Sequence, residues 1–199
     1  MNIKQIPDTS LATANSNTLR QILLDLIVKY AYVEGDFTLS SGAKSSYYIN
    51  CKQVTLKAEG ALALGRLLLQ LLPEDTSAVA GLTLGADPMV SAVSVVSAYE
   101  GRPLPALIIR KKPKGHGTKA YIEGPSLAAD SEIVVLEDVV TTGGSALTAV
   151  ERLRNAGYKV RQILSLVDRE QGASQLYQSQ GIEFQALFSI HEIQQQYSV

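Results

Sequence analysis

The chain has 199 residues, 46% of them hydrophobic, which is enough to bury one full core and too short for two large domains. A formal net charge of −1 argues against a general electrostatic partner such as duplex DNA or an anionic membrane. The single cysteine, Cys51, excludes an internal disulfide, and no apolar run approaches the ~20 residues that span a bilayer.

In chain order, residues 1–17 are polar and rich in Thr, Asn and Ser, without the apolar stretch of a secretory signal. They read as a partly ordered tail on a cytoplasmic protein. Residues 18–199 read as one domain, a small N-terminal hood over about 18–57 and a core over about 58–199. Leu19, Ile22, Leu23, Leu26, Ile27 and Tyr30 keep helical spacing, with Ser16 or Asn17 as the expected cap. Phe37 to Thr55, rich in Ser, Tyr and Gly, predicts a short hairpin or irregular strands. Leu62–Leu72 predicts a Leu-rich helix closed by Pro73.

From there strand and helix signals alternate. Val79–Leu84 predicts a strand; Asp87-Pro88 predicts an N-cap and first helical position, and Met89–Tyr99 a helix. Further strands are expected at Leu104–Ile109, Ile133–Leu136, Val160–Val167 and Phe184–Phe188. The alternation predicts an α/β fold, a mostly parallel central sheet flanked by helices on both faces. Ligands in such sheets sit at the carboxyl ends of the strands.

The segment after Ile133–Leu136 is the most informative. Two acids, Glu137 and Asp138, precede the hydroxyl-rich turn Thr141-Thr142-Gly143-Gly144-Ser145. A helix follows, with Ala146, Val150 and Leu153 on one face and Gly157 as its stop. Free backbone amides and the positive end of the helix dipole favour an anion at such a turn. The spacing matches neither the P-loop nor the dinucleotide fingerprint. Carboxylates accept hydrogen bonds from sugar hydroxyls, so acids followed by amides suit a ribose 5-phosphate. A plain capped turn would not explain two consecutive acids at the end of a buried strand.

A second cluster, Arg110 to Lys119, carries five cations and His116 in ten residues, broken by Pro113, Gly115 and Gly117. Taken alone it is a solvated basic loop. Placed after a strand of the same sheet, it can fold over a highly charged anion and exclude water. His116, flanked by glycine, is not a core histidine; His191 shows no partner, and Cys51 reads as packing.

The acidic pair and its turn, Val134 to Gly144, resemble the phosphoribosyl diphosphate (PRPP) motif of the type I phosphoribosyltransferases. Three more matches resemble the orotate-using members of that family. Arg110, Lys111, Lys114, His116 and Gly117 match the loop Arg-Lys-x-x-Lys-x-His-Gly. Phe37, Leu39, Ser41, Gly42, Ser45 and Tyr47 match the hood motif, and Asp168-Arg169 matches an Asp-Arg pair whose arginine faces orotate. The resemblance implies transfer of the phosphoribosyl group of PRPP to orotate, giving orotidine 5′-monophosphate and pyrophosphate, in UMP biosynthesis.

It implies that Thr141, Thr142, Gly143, Gly144 and Ser145 take the 5-phosphate, and Glu137 and Asp138 the ribose hydroxyls. Arg110, Lys111, Lys114 and His116 go to the pyrophosphate, with Lys114, His116 and Asp138 as the catalytic groups. Arg169, Thr141, Tyr47 and Tyr48 go to orotate, although of two adjacent strand tyrosines one alone faces the base easily. Mg²⁺ is implied as cofactor, held through PRPP and water, and a homodimer is implied whose loop 110–119 is shared between subunits. Nucleic acid and membrane are not expected partners. The chain departs from the pattern at Ser40 and Gly85, where relatives commonly carry lysine, and at Glu137, where Asp is commoner; Lys44 and Lys52 are candidate substitutes. A different base and a non-catalytic PRPP sensor remain the alternatives; a carboxylate-binding Arg169 argues against the first, and retention of the whole basic loop against the second.

Overall fold

The computed structural model describes residues 11–38, 42, 44–114 and 121–198. Leu39, Ser41, His116 and Gly117 of the motifs, the departure at Ser40 and residues 1–10 of the tail lie outside that set.

Helix α1 spans Ser16–Leu26 and continues as a π-helical turn over Ile27–Ala31. Its cap is Asn15, one residue before the expected pair, with Oδ1 accepting from the Thr18 amide at 2.9 Å. Asn caps as well as Ser does, so sequence alone could not rank them. Ahead of it, Arg66 holds the chain by donating to the carbonyls of Leu11 and Ala14. The side chains of Leu19, Leu23 and Ile27 are fully buried, each worth about 1.5–3 kcal/mol of transfer energy.

Strands β1 (Tyr32–Thr38) and β2 (Lys44–Ile49) form the expected antiparallel hairpin. The segment after it is a short helix, α2 (Lys52–Thr55), where strand character was expected, and α3 (Ala58–Leu69) starts four residues before Leu62. Next come β3 (Ala78–Leu82), α4 (Asp87–Tyr99), β4 (Ala106–Ile109) and a two-residue strand β5 (Ile122–Glu123) too short to read from sequence. Ala86, not Asp87, occupies the α4 cap. Asp87 is already in the first turn, and its Oδ2 accepts from Thr83 Oγ1 of the preceding loop at 2.7 Å.

Strand β6 (Glu132–Val140) is followed by α5 (Gly144–Asn155), β7 (Lys159–Asp168), α6 (Ala173–Ser179), β8 (Glu183–Ser189) and α7 (Ile190–Tyr197). β6 runs four residues past Leu136, through both acids, because pairing with β7 continues from Glu137↔Ser165 to Val140↔Asp168. Charge suggested a strand end where the hydrogen-bond ladder in fact continues.

The main sheet has the order β5-β4-β3-β6-β7-β8, parallel throughout except for the β4–β5 edge pair. Strand residues alternate between two cores. Val79, Val134 and Leu136 pack with α1, α3 and α4; Ala78, Ala80, Ile133 and Val135 pack with α5 and α6. The chain leaves β3 in one direction and returns to β6 to proceed in the other. That reversal opens a crevice at the carboxyl ends of β3 and β6.

Candidate active site

Both acids stand at this crevice, and strand alternation separates them. Asp138 continues the even-numbered face, where Lys52 of α2 approaches its Oδ2 to 3.7 Å. Glu137 continues the odd-numbered face, towards α6 and Tyr177. The two carboxyl groups thus reach the crevice from opposite sides of the sheet.

Their electrostatics differ as well. Glu137 is 7% exposed, and its Oε2 has no hydrogen-bond partner among the described residues. Burial, reinforced by Asp138 and opposed by Lys111, pushes its carboxyl up to about 8. At neutral pH Glu137 is therefore a carboxylic acid, one donor and one acceptor, where two acceptor carboxylates were expected. Asp138 and Lys52 share the charge on the other face.

Loop 83–86 closes the β3 side, and its Thr83–Leu84 peptide is cis. Gly85 lies directly against Asp138: a Cβ there would sit 2.3 Å from Oδ1. Any side chain at this position, lysine included, requires the loop or Asp138 to move. Asp87 Oδ1, in the same loop-to-helix corner, is buried without a partner among the described residues.

On the β6 side, Gly143 caps α5 with φ +91°, a left-handed conformation that favours glycine. A Cβ there would also meet the Tyr177 ring at 2.9 Å. Tyr177 donates to the Gly143 carbonyl at 3.2 Å and pins the turn from below; burial pushes its hydroxyl pKa up, so it stays a donor. Thr142, Gly144 and Ser145 are exposed around the first turn of α5, whose amides have no intrahelical acceptors. Arg152 and Arg154 sit in the last turn, leaving the anion-attracting end free of competing charge.

The basic segment begins beside this cradle. Arg152 of α5 donates to the carbonyls of Arg110 and Lys111 and stacks 4.2 Å over Tyr121. Lys111 lies within electrostatic reach of Glu137. Arg110 and Lys114 instead pair with Glu123 of β5, at 2.9 and 2.6 Å, and hold its carboxyl below the usual range, Lys114 contributing most. Both pairs are solvent-facing, so they cost little to exchange for another anion.

Arg169 follows β7, and its amide donates to the Val140 carbonyl at the end of β6. Its side chain is buried against the hairpin: Nε donates to Tyr47 Oη at 2.8 Å and Nη2 to Ser45 Oγ at 3.2 Å. Tyr48, on the opposite face of β2, is 46% exposed and packs on Phe37. Tyr47 and Arg169 therefore meet at the site and Tyr48 does not.

Several other positions resolve. Lys44 donates to Thr38 on the hairpin, so Lys52 is the candidate substitute cation that the structure brings to the acids. Cys51 is fully buried with its thiol pKa pushed well up by burial, which suits packing. His191, expected to lack a partner, is bonded to Glu170. Sequence reasoning named Lys52 but not its pairing with Asp138, and missed Arg152 and Tyr177, because each contact joins elements far apart in the chain; it also missed the Glu123 pairs, which depend on the short strand β5.

The sequence profile of the family described as "Uracil phosphoribosyltransferase" matches residues 80–186. An orotate phosphoribosyltransferase of Nostoc sp. is 68% identical over 186 residues, 94% of this chain and 90% of that protein. One of Synechocystis sp. is also 68% identical, over 94% of this chain and 95% of its own. Among solved structures, the orotate phosphoribosyltransferase of Mycobacterium tuberculosis in complex with PRPP superposes with a TM-score of 0.74, at 33% identity, covering 88% of this chain and 99% of that one.

Proposed function

The chain belongs to the orotate phosphoribosyltransferase family, and on that premise we propose how its residues divide the work of transferring the 5-phosphoribosyl group from PRPP to orotate. The enzyme makes orotidine 5′-monophosphate and pyrophosphate in pyrimidine biosynthesis. In the reaction the C1–oxygen bond to pyrophosphate breaks, the leaving group departs with the electron pair, and orotate N1 bonds to C1 as its proton is lost to solvent. Charge grows on the leaving group while the ribosyl carbon becomes cation-like, so the protein's task is positioning and electrostatic stabilisation.

The amides of the turn Thr141 to Ser145 hold the 5-phosphate. Asp138 accepts from one ribose hydroxyl as a carboxylate, and Glu137, as an acid, exchanges one donor and one acceptor with the sugar. Arg110, Lys111, Lys114 and His116 neutralise the pyrophosphate, the first and third by leaving Glu123. Lys114 and His116, with Asp138, are the groups nearest the chemistry. Arg169 grips orotate from the β7 end beside Thr141, with Tyr47 next to it. The observation that carries this reading is the phosphate cradle at the β3/β6 reversal with a buried arginine at the neighbouring strand end.

Mg²⁺ suits the donors present. Among the described residues no three His, Cys, Asp or Glu side chains form a cage, and a buried carboxyl oxygen of Asp87 is unpartnered. That set fits a hard cation held mainly by substrate oxygens and water. When bound, it would neutralise charge on the departing pyrophosphate.

The matching profile bears a uracil enzyme's description, but it covers 80–186 and leaves out the hairpin that faces Arg169. Uracil has no carboxylate, so it would leave a buried guanidinium without its anion. A homodimer sharing loop 110–119 is proposed with the same reading. The exposed apolar side chains of Leu56, Leu84 and Val95 line a groove of about 660 Å³ between α3 and α4 and offer it a face. A cytoplasmic location fits the free, buried Cys51; no described helix is long and apolar enough to cross a membrane.

The test is an assay of purified protein with PRPP, Mg²⁺ and a panel of bases, following orotate absorbance and pyrophosphate release. Orotate consumed in step with pyrophosphate supports the reading; pyrophosphate released with another base but not with orotate refutes it.

A further inference from the structure

Arg169 is aimed from the hairpin rather than from its own strand. An arginine offers two pairs of parallel N–H donors, a side pair from Nε and Nη2 and an end pair from Nη1 and Nη2. Tyr47 Oη and Ser45 Oγ take the side pair, at 2.8 and 3.2 Å. No oxygen of the described residues is bonded to Nη1, so the end pair stays open for a bidentate carboxylate. The guanidinium also lies 4.6 Å from the Tyr47 ring centroid.

The two hydroxyls are themselves fixed. Ser45 Oγ donates to the Tyr47 carbonyl at 2.7 Å. The Tyr47 ring stacks on Tyr32 at 5.7 Å, and Tyr32 meets Tyr197 of α7 edge-on at 5.0 Å. The arginine thus sits at the end of an aromatic row that runs through the N-terminal hairpin and is anchored in the C-terminal helix.

We propose that Tyr47 and Ser45 are positioning residues for Arg169, and that they set the preference for a carboxylate-bearing pyrimidine over a neutral one. Neither touches the reacting atoms. Tyr47, expected from the sequence to flank the base, acts through the guanidinium. The proposal rests on the reading that Arg169 takes the orotate carboxylate.

The experiment uses the full chain with Mg²⁺, measuring kcat and separate KM values for orotate and PRPP, the orotate-to-uracil ratio of kcat/KM, and Tm. Tyr47→Phe keeps the ring and removes the hydroxyl. It is expected to raise the orotate KM about tenfold, from loss of one hydrogen bond to a charged group, and to lower the orotate-to-uracil ratio by the same factor. The PRPP KM and Tm stay close to wild type. Ser45→Ala shifts the same two quantities in the same direction, by about threefold, since its bond is longer.

Tyr47→Phe combined with Arg169→Lys is expected to be no worse than Arg169→Lys alone, because the two act as one unit. An unchanged orotate KM in both hairpin variants overturns the proposal, as does an equal rise in both KM values or an additive double variant. If wild-type protein ignores orotate, the functional reading fails and this proposal with it; if wild type uses orotate and both hairpin variants use it with the wild-type KM and the wild-type orotate-to-uracil ratio, the proposal alone fails.

Discussion

Glu137→Gln isolates the cost of burying an acid in the sugar site. Glutamine has the same shape and never ionises, so the variant differs from wild type mainly where Glu137 would carry charge. In the folded protein that carboxyl is pushed from 4.5 up to about 8, chiefly by burial and then by Asp138. The folded state therefore holds the proton more tightly than the unfolded chain. Its contribution to stability is most favourable below pH 4.5 and is lost progressively as pH rises to 8, after which it is constant. Each pH unit in that window costs about 1.4 kcal/mol. The variant should be within about 1 kcal/mol of wild type at pH 5, and about 3 kcal/mol more stable at pH 7. Urea unfolding of both proteins at pH 5, 7 and 9 reads this directly. Thermal midpoints should differ by about 6–12 °C at pH 7 for a domain of this size. Because Gln also presents a donor group and an acceptor, the PRPP KM at pH 7 should change less than about threefold. A stability difference that stays flat from pH 5 to 9 would refute the burial argument. A PRPP KM raised tenfold or more would show that the sugar binds the carboxylate form.

Lys114→Ala and His116→Ala should each cut kcat about a hundredfold, the usual cost of one donor to developing charge, and Lys114→Ala should leave Tm unchanged because the Lys114–Glu123 pair faces solvent. Gly85→Ala should cost about 1–3 kcal/mol on thermal unfolding and raise the PRPP KM, since a Cβ 2.3 Å from Asp138 Oδ1 displaces the loop or the acid; an unaltered KM would show that the loop relaxes freely. Val95→Asp, at a position 69% exposed in the apolar groove, should yield monomers by sedimentation and lose activity. Mixed dimers of Lys114→Ala with an Asp138→Asn subunit should recover part of the rate, and hybrids without recovery would count against a shared loop.

What the sequence conveyed and what it withheld divide along a physical line. Strand runs such as Ile133–Leu136 and helical spacing such as Leu19–Leu23–Ile27 are short-range patterns dictated by which face is buried, and they were legible. So was the tight turn before α5, because a glycine that takes φ +91° and the hydroxyl-rich residues around it leave compositional marks. Boundaries moved where a longer-range partner decided them: β6 continues to Val140 only because β7 is there to pair with it.

The same distinction explains the site's charge balance. Glu137 and Asp138 are adjacent in sequence and look equivalent, yet strand alternation sends one to a dry face beneath Tyr177 and the other to Lys52. A residue's ionisation depends on which side of the sheet it enters, and a sequence read in one dimension records only that the two are neighbours. Gly85 follows the same logic. As a letter it is a missing cation; in three dimensions it is the space that lets Asp138 stand against the β3 loop, where Lys52 of α2 reaches the same acid. The charge at this crevice is therefore not read off position by position along the chain. Which cation stands beside an acid is decided by the elements that the fold brings within a few ångströms of it, as α2 brings Lys52 to Asp138.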